Sequence, residues 1–193
     1  MNSNVKRIAG VGIFAAIVVV LQLLATFIQI GPFAITLVLV PIVIGAALYG
    51  VAAGAMLGCV FAVVVLIMTI SGADPGAYML WAANPIATFL VIMVRGIAAG
   101  AAAGFAYQIF KKANKLGAVV AAAIICPVVN TGLFLLAMYF IFPDFVELWA
   151  GGATALYFLL VGLAGVNFII ELGINIVLSP TIVRILKAIK VVS

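Results

Sequence analysis

Apolar residues run through this chain in long blocks that only glycine, proline and a few charges interrupt. The interruptions leave six apolar segments, at 8–28, 33–49, 51–70, 84–110, 117–142 and 155–185. A helix needs roughly 20 apolar residues to cross a bilayer, so the pattern predicts an all-α membrane protein of six transmembrane helices in one domain, 1–193, with no separate soluble part. The second segment is short for a crossing and contains Pro41, which predicts a tilted, kinked or partly protein-wrapped span.

Composition makes the bilayer the solvent. Hydrophobic residues are 69% of the chain and charged residues 7%, with a mean hydropathy of +1.51, and no water-facing globular surface can be built from that mixture. Met1 to Ile8 lacks the small-residue cleavage pattern of a signal peptide, so the first apolar segment is expected to stay in the mature protein. Cys59 and Cys126 each sit in an apolar stretch and read as small hydrophobes, not as a disulfide.

Charge adds an orientation. With six crossings Lys6, Arg7, Lys111, Lys112, Lys115, Arg184, Lys187 and Lys190 all fall on one side, which the positive-inside rule makes cytoplasmic, along with both termini. Asp74, Asp144 and Glu147 fall on the other, near Tyr78, Trp81, Trp149 and Tyr157 at the depth where amphipathic rings settle. The net charge of +5 therefore marks topology, and nucleic acid is not an expected partner.

Two glycine ladders, Gly50-Gly54-Gly58 and Gly96-Gly100-Gly104, put a bare stripe on each of two helices and predict close helix packing. Arg95 and Glu171 are harder to accommodate, since each costs at least ~2.5 kcal/mol at mid-bilayer. Counting at 1.5 Å per residue from the outer helix ends puts Arg95 roughly 17 Å deep, Glu171 roughly 24 Å, and Asn130 and Asn167 roughly 18 Å, so the four share one layer. Asn84, Thr88 and Arg95 lie within a narrow arc of their helix, away from its glycines, and Asn167, Glu171 and Asn175 form a stripe on the last. Either Arg95 and Glu171 neutralise each other while the asparagines bridge helices, or the layer binds a ligand. The two can hold together, with Glu171 positioning Arg95.

Catalysis has no equipment here. With no histidine, no Gly-x-Ser-x-Gly and no acidic pair at ligand spacing, neither a nucleophile with its base nor a metal centre is expected, and no cofactor. No phosphate loop is present, so ATP-driven transport would need a partner. The outer loops at 29–32, 71–76 and 143–154 hold turn-forming Gly and Pro beside Trp and Tyr, as a lid would.

These residues resemble a family, the substrate-binding S components of energy-coupling factor (ECF) vitamin transporters. The resemblance spans nearly the whole chain. It is carried by the six-span size, the segment Pro41-Ile42-Val43-Ile44-Gly45-Ala46-Ala47-Leu48-Tyr49-Gly50 with Gly54 and Gly58 behind it, Arg95-Gly96, and Asn167 with Glu171. In the first helix Gly12-Ile13-Phe14-Ala15-Ala16 is similar to the small-xxx-small motif by which such subunits dock on a transmembrane coupling protein, with Gly12 in place of the more usual alanine. The resemblance implies a cell-membrane subunit that captures a micronutrient in the outer half of its bundle, joins a coupling protein and two ATPases, and releases its cargo inside. Arg95, Asn84, Asn130, Asn167 and Glu171, with Trp81 and Tyr78, are the expected ligand contacts, and Gly12 and Ala16 the docking contacts. A guanidinium amid amides favours an acidic, hydroxyl- or amide-bearing vitamin, pantothenate first, with riboflavin or a pyridoxine-like ring leaning more on Trp81, Tyr78 and Trp149. The competing expectation is a solitary, gradient-driven secondary transporter with Glu171 as its proton or cation site.

Overall fold

Helix boundaries fall where proline and short polar side chains place them. Pro75, Pro85 and Pro143 start three helices, at positions where a missing N–H costs nothing. Asp74, Asn84 and Asn114 cap three helices by accepting from the backbone N–H of Ala77 (3.1 Å), Ala87 (3.0 Å) and Leu116 (3.0 Å).

The computed structural model describes residues 3–25, 29–30, 33–34, 38–112, 114–163 and 165–192. In chain order these form α1 (Ser3–Ala25), β1 (Gln29–Ile30), β2 (Phe33–Ala34), α2 (Leu39–Tyr49), α3 (Val51–Ile70), α4 (Pro75–Ala83), α5 (Pro85–Phe110), α6 (Lys115–Ile141), α7 (Pro143–Ala150), α8 (Ala155–Tyr157) running into a π-helix (Phe158–Leu163), and α9 (Gly165–Val192). β1 and β2 pair antiparallel, Gln29 opposite Ala34 and Ile30 opposite Phe33.

Among the described residues α1, α3, α5 and α6 are long and apolar enough to cross a membrane, and α7 with the α8 segment, bent by 86°, would make a fifth. The outward faces of α1, α5, α6 and α9 are oily: Ile8, Ile109, Phe140 and Val177 are each at least 70% exposed, which lipid tolerates and water does not. The chain is a multi-pass membrane protein. The second apolar segment differs from its predicted extent, since its helix begins only at Leu39 and runs 11 residues, about 16 Å. Eight of those residues are buried, so α2 is wrapped by its neighbours and meets little lipid.

The glycine ladders pack on each other. A Cβ added at Gly58 would strike the carbonyl oxygen of Gly96, one at Gly54 that of Gly100, and one at Gly104 the Cα of Val51 at 2.7 Å. α3 and α5 thus run antiparallel with their backbones in contact, as small residues permit. Gly50 does not belong to this stripe. It joins α2 to α3 at φ +91°, a conformation that L side chains rarely adopt.

Two apolar clusters result. The larger gathers Leu39, Ile42, Leu57, Phe61, Val119 and Ile182 from α2, α3, α6 and α9. The smaller joins Leu80 of α4 to Met138, Phe142, Val146, Leu159 and Leu163 at the end where α3 finishes and α5 begins. The opposite end carries Lys6, Arg7, Lys111, Lys112 and Lys115, all exposed.

Candidate functional site

Between the smaller cluster and the middle of the bundle lies a cavity of about 30 Å³, roofed by Ala77 and Leu80 of α4 and bounded by Asp74, Thr88, Arg95 and Phe134. The α4 helix lies over it because Asp74 and Pro75 start a helix immediately after the turn that ends α3, and Asn84 and Pro85 stop it nine residues later. Thr88 and Arg95, seven residues apart on α5, look out from one helical face. That volume holds about one water molecule and no vitamin.

Arg95 is the centre of this site. Its guanidinium carbon stands 5.0 Å from the centre of the Phe134 ring, a cation–π contact. It lies in the fields of two carboxylates, Asp74 from above and Glu171 from α9. Its Nε is buried with no hydrogen-bond partner among the described residues, and so is the hydroxyl of Thr88. A buried polar group left unsatisfied costs about 1–3 kcal/mol, and more if it is charged. Two such groups flanking one cavity make a site with donors to spare.

A second polar run continues inward along α6 and α9. Asn130, one turn from Phe134 on α6, is buried, and its side-chain oxygen has no partner among the described residues. On α9 the Asn175 amide donates to the Glu171 carbonyl (2.8 Å), and the Ser179 hydroxyl to the Asn175 carbonyl (2.9 Å). Glu171, Asn175 and Ser179 are all buried, so this face of α9 turns from the lipid.

The structure therefore brings Arg95 and Glu171 within electrostatic reach and buries Asn130 one turn below. It puts other predicted contacts elsewhere. Asn84 is exposed and its oxygen caps α5, so helix geometry rather than the cavity accounts for its position. Tyr78 is exposed and Trp81 half-buried on α4, and neither lines the cavity. Trp149 packs on Phe145 at 5.7 Å within the outer cluster. The side chain of Asn167 lies outside the described residues, as do those of Lys187 and Lys190 and, in the 29–32 loop, residues 31 and 32. Two members of the site were missed: Asp74, read as an outer-loop charge, and Phe134, which carried no signal beyond its place one turn from Asn130. For Asp74 the signal was local, because Asp before Pro-Gly after a Ser-Gly turn is a helix cap and must sit where α4 begins.

Asp74 is half-buried, and burial holds its carboxyl above the ordinary value near 3.8, while the N–H of Ala77, the charge of Arg95 and the N–H of Gly76 pull the other way. Among the described residues no group of three or more metal-ligating side chains occurs.

A much larger hollow, about 750 Å³, opens at the basic end between α1 and α3, lined by Arg7, Val11, Gly12, Ala15, Met56 and Cys59. Gly12 and Ala16 are exposed on α1, and a side chain added at Gly12 would meet nothing within 4 Å.

Residues 6–183 match the family described as ECF transporter, substrate-specific component. No curated protein and no solved structure matches the chain.

Proposed function

Since the chain belongs to the ECF transporter substrate-specific components, a family of transport subunits and not of enzymes, we propose that it captures an acidic micronutrient at Arg95, with pantothenate the leading candidate ahead of riboflavin or a pyridoxine-like compound. The observation that carries the ligand reading is the pair of unsatisfied buried groups, Arg95 Nε and Thr88 Oγ1, both lining one cavity. A guanidinium matches a carboxylate or phosphate in shape and charge, and the Thr88 hydroxyl and the Asn130 amide suit a ligand rich in hydroxyl and amide groups. Asn130, Glu171 and Asn167 are read as completing the site from below. Tyr78 and Trp81 join it only when α4 moves, and Asn84 would contribute from the lid's hinge.

Six crossings by α1, α2, α3, α5, α6 and α9, with both termini cytoplasmic, fit the gathering of basic residues at one end. The ligand site then lies in the outer half. Transport itself belongs to an assembly with a coupling protein and two ATPases. The exposed stripe of Gly12 and Ala16 beside the apolar hollow suits the close approach of a partner helix at the opposite end from the ligand.

The test is calorimetric titration of the isolated chain in detergent with a panel of vitamins, on wild type and Arg95→Gln. One acidic compound should bind with unit stoichiometry and lose about 2–3 kcal/mol in the variant, as expected for a charge-assisted contact. A neutral ring compound winning the screen, or equal binding by both proteins, would overturn the assignment of Arg95.

A further inference from the structure

We propose that Asp74 takes up one proton each time an acidic ligand is captured at Arg95. The inference rests on the ligand reading above and adds to it a coupled ion. In the empty chain Asp74 and Arg95 border the same cavity, and the carboxylate acts on the guanidinium from the side on which a ligand must arrive. Glu171 acts on it from α9. One guanidinium thus faces two acids before any ligand enters. An incoming carboxylate would add another in a space of low polarisability, where like charges a few ångströms apart cannot all persist and one of them is neutralised by a proton.

Asp74 is the group placed to take that proton. Of the two acids that act on Arg95, it is the one that borders the cavity, at the turn between α3 and α4. Burial already holds its carboxyl above the usual range, and part of what restrains that shift is the charge of Arg95, which a bound anion would mask. Among the described residues Asp74 is the one acid that lines the cavity; Tyr78 on the same helix is exposed and does not line it. Of the elements packed on α4, α3 carries no charged side chain, α5 offers Arg95 alone at this end, and β2 holds none. On α7, Asp144 and Glu147 are exposed to the outside, and on α9 the facing charge is Glu171.

The geometry also explains why the proton must accompany capture. A cavity of about 30 Å³ must grow roughly tenfold to hold a small-molecule ligand. The α4 roof is the part that would have to lift, on the turn that joins it to α3, where Gly72 sits at φ +76°. When α4 closes again, its cap returns Asp74 to the site beside the ligand's acid group. A neutral Asp74 can then donate a hydrogen bond to that group where an ionised one would repel it.

Calorimetry on the whole chain in lipid nanodiscs tests this, with pantothenate, nicotinate and biotin as carboxylate probes, in buffers of different ionisation enthalpy between pH 5.5 and 8. The expected result is uptake of one proton per bound ligand where Asp74 begins ionised, with affinity falling about tenfold per pH unit there. In Asp74→Asn, whose amide oxygen can still cap α4, uptake should vanish and the affinity should become flat with pH. Binding of a probe with no proton uptake would overturn the proposal while leaving Arg95 as its receptor. Uptake persisting in Asp74→Asn would move the proton to Glu171 and overturn it equally. Failure of all three probes in a folded protein would remove the acidic-ligand reading and this inference with it.

Discussion

Replacing Gly58 by alanine is the sharpest probe of the bundle, because it places one methyl group between two backbones. The new Cβ meets the carbonyl oxygen of Gly96 inside 3.0 Å, a separation that real Cβ atoms essentially never show, and the carbonyl carbon at 2.9 Å. Neither atom belongs to a side chain that could rotate away. The reciprocal substitution at Gly96 gives a lower bound: its Cβ would stand 2.7 Å from the Gly58 oxygen where ordinary contact begins at 3.4 Å, so the helices must part by at least about 0.7 Å. A gap of that size forfeits a quarter to a half of each dispersion contact along the seam. Over roughly the number of atom pairs that one buried leucine makes, the loss is about 2–3 kcal/mol. Gly132 supplies the control, since a Cβ there has nothing within 4 Å and Gly132→Ala should gain up to about 1 kcal/mol from helix propensity. Thermal unfolding in detergent, read by exposure of the buried Cys126 thiol, compares the three proteins. If Gly58→Ala melted with wild type or above it, α3 and α5 would not be in backbone contact and the packing described here would be wrong.

Further outcomes follow from the same geometry. Asn84→Ala should cost about 1 kcal/mol of stability and Asn84→Ser should restore it, because the residue caps α5; loss of ligand affinity in the serine variant as well would make it a ligand contact. Gly12→Leu with Ala16→Leu should abolish uptake in cells at unchanged ligand affinity, since both positions are exposed; equal loss of affinity would place that face inside the fold. The raised carboxyl of Asp74 means that its folded form holds the proton more tightly than the unfolded chain does. Its contribution is therefore fully present below the ordinary value near 3.8 and lost as pH rises through the raised one, so wild type should lose stability relative to Asp74→Asn across that interval. Parallel melting curves of the two proteins at every pH would refute the burial of the acid.

The membrane setting, the helical class, most span positions and the distinction of Arg95 and Glu171 were legible in the sequence, because each follows from what lipid forbids: exposed backbone polarity and isolated charge. The glycine ladders likewise announced a close contact. Tertiary structure alone decided that the two ladders meet each other, because spacing along one helix names no partner. It also shortened the second helix to Leu39–Tyr49, where burial by neighbours replaces the length that lipid would demand. The site changed most. Depth counted along separate helices grouped Arg95 with Asn130 and Glu171, but the rotation and tilt that put Phe134 on the guanidinium and Asp74 beside the same cavity, and left Asn84 outside as a cap, arise from how α4 and α6 pack over α5. Periodicity fixes which face of a helix a residue occupies, and only packing fixes what that face meets.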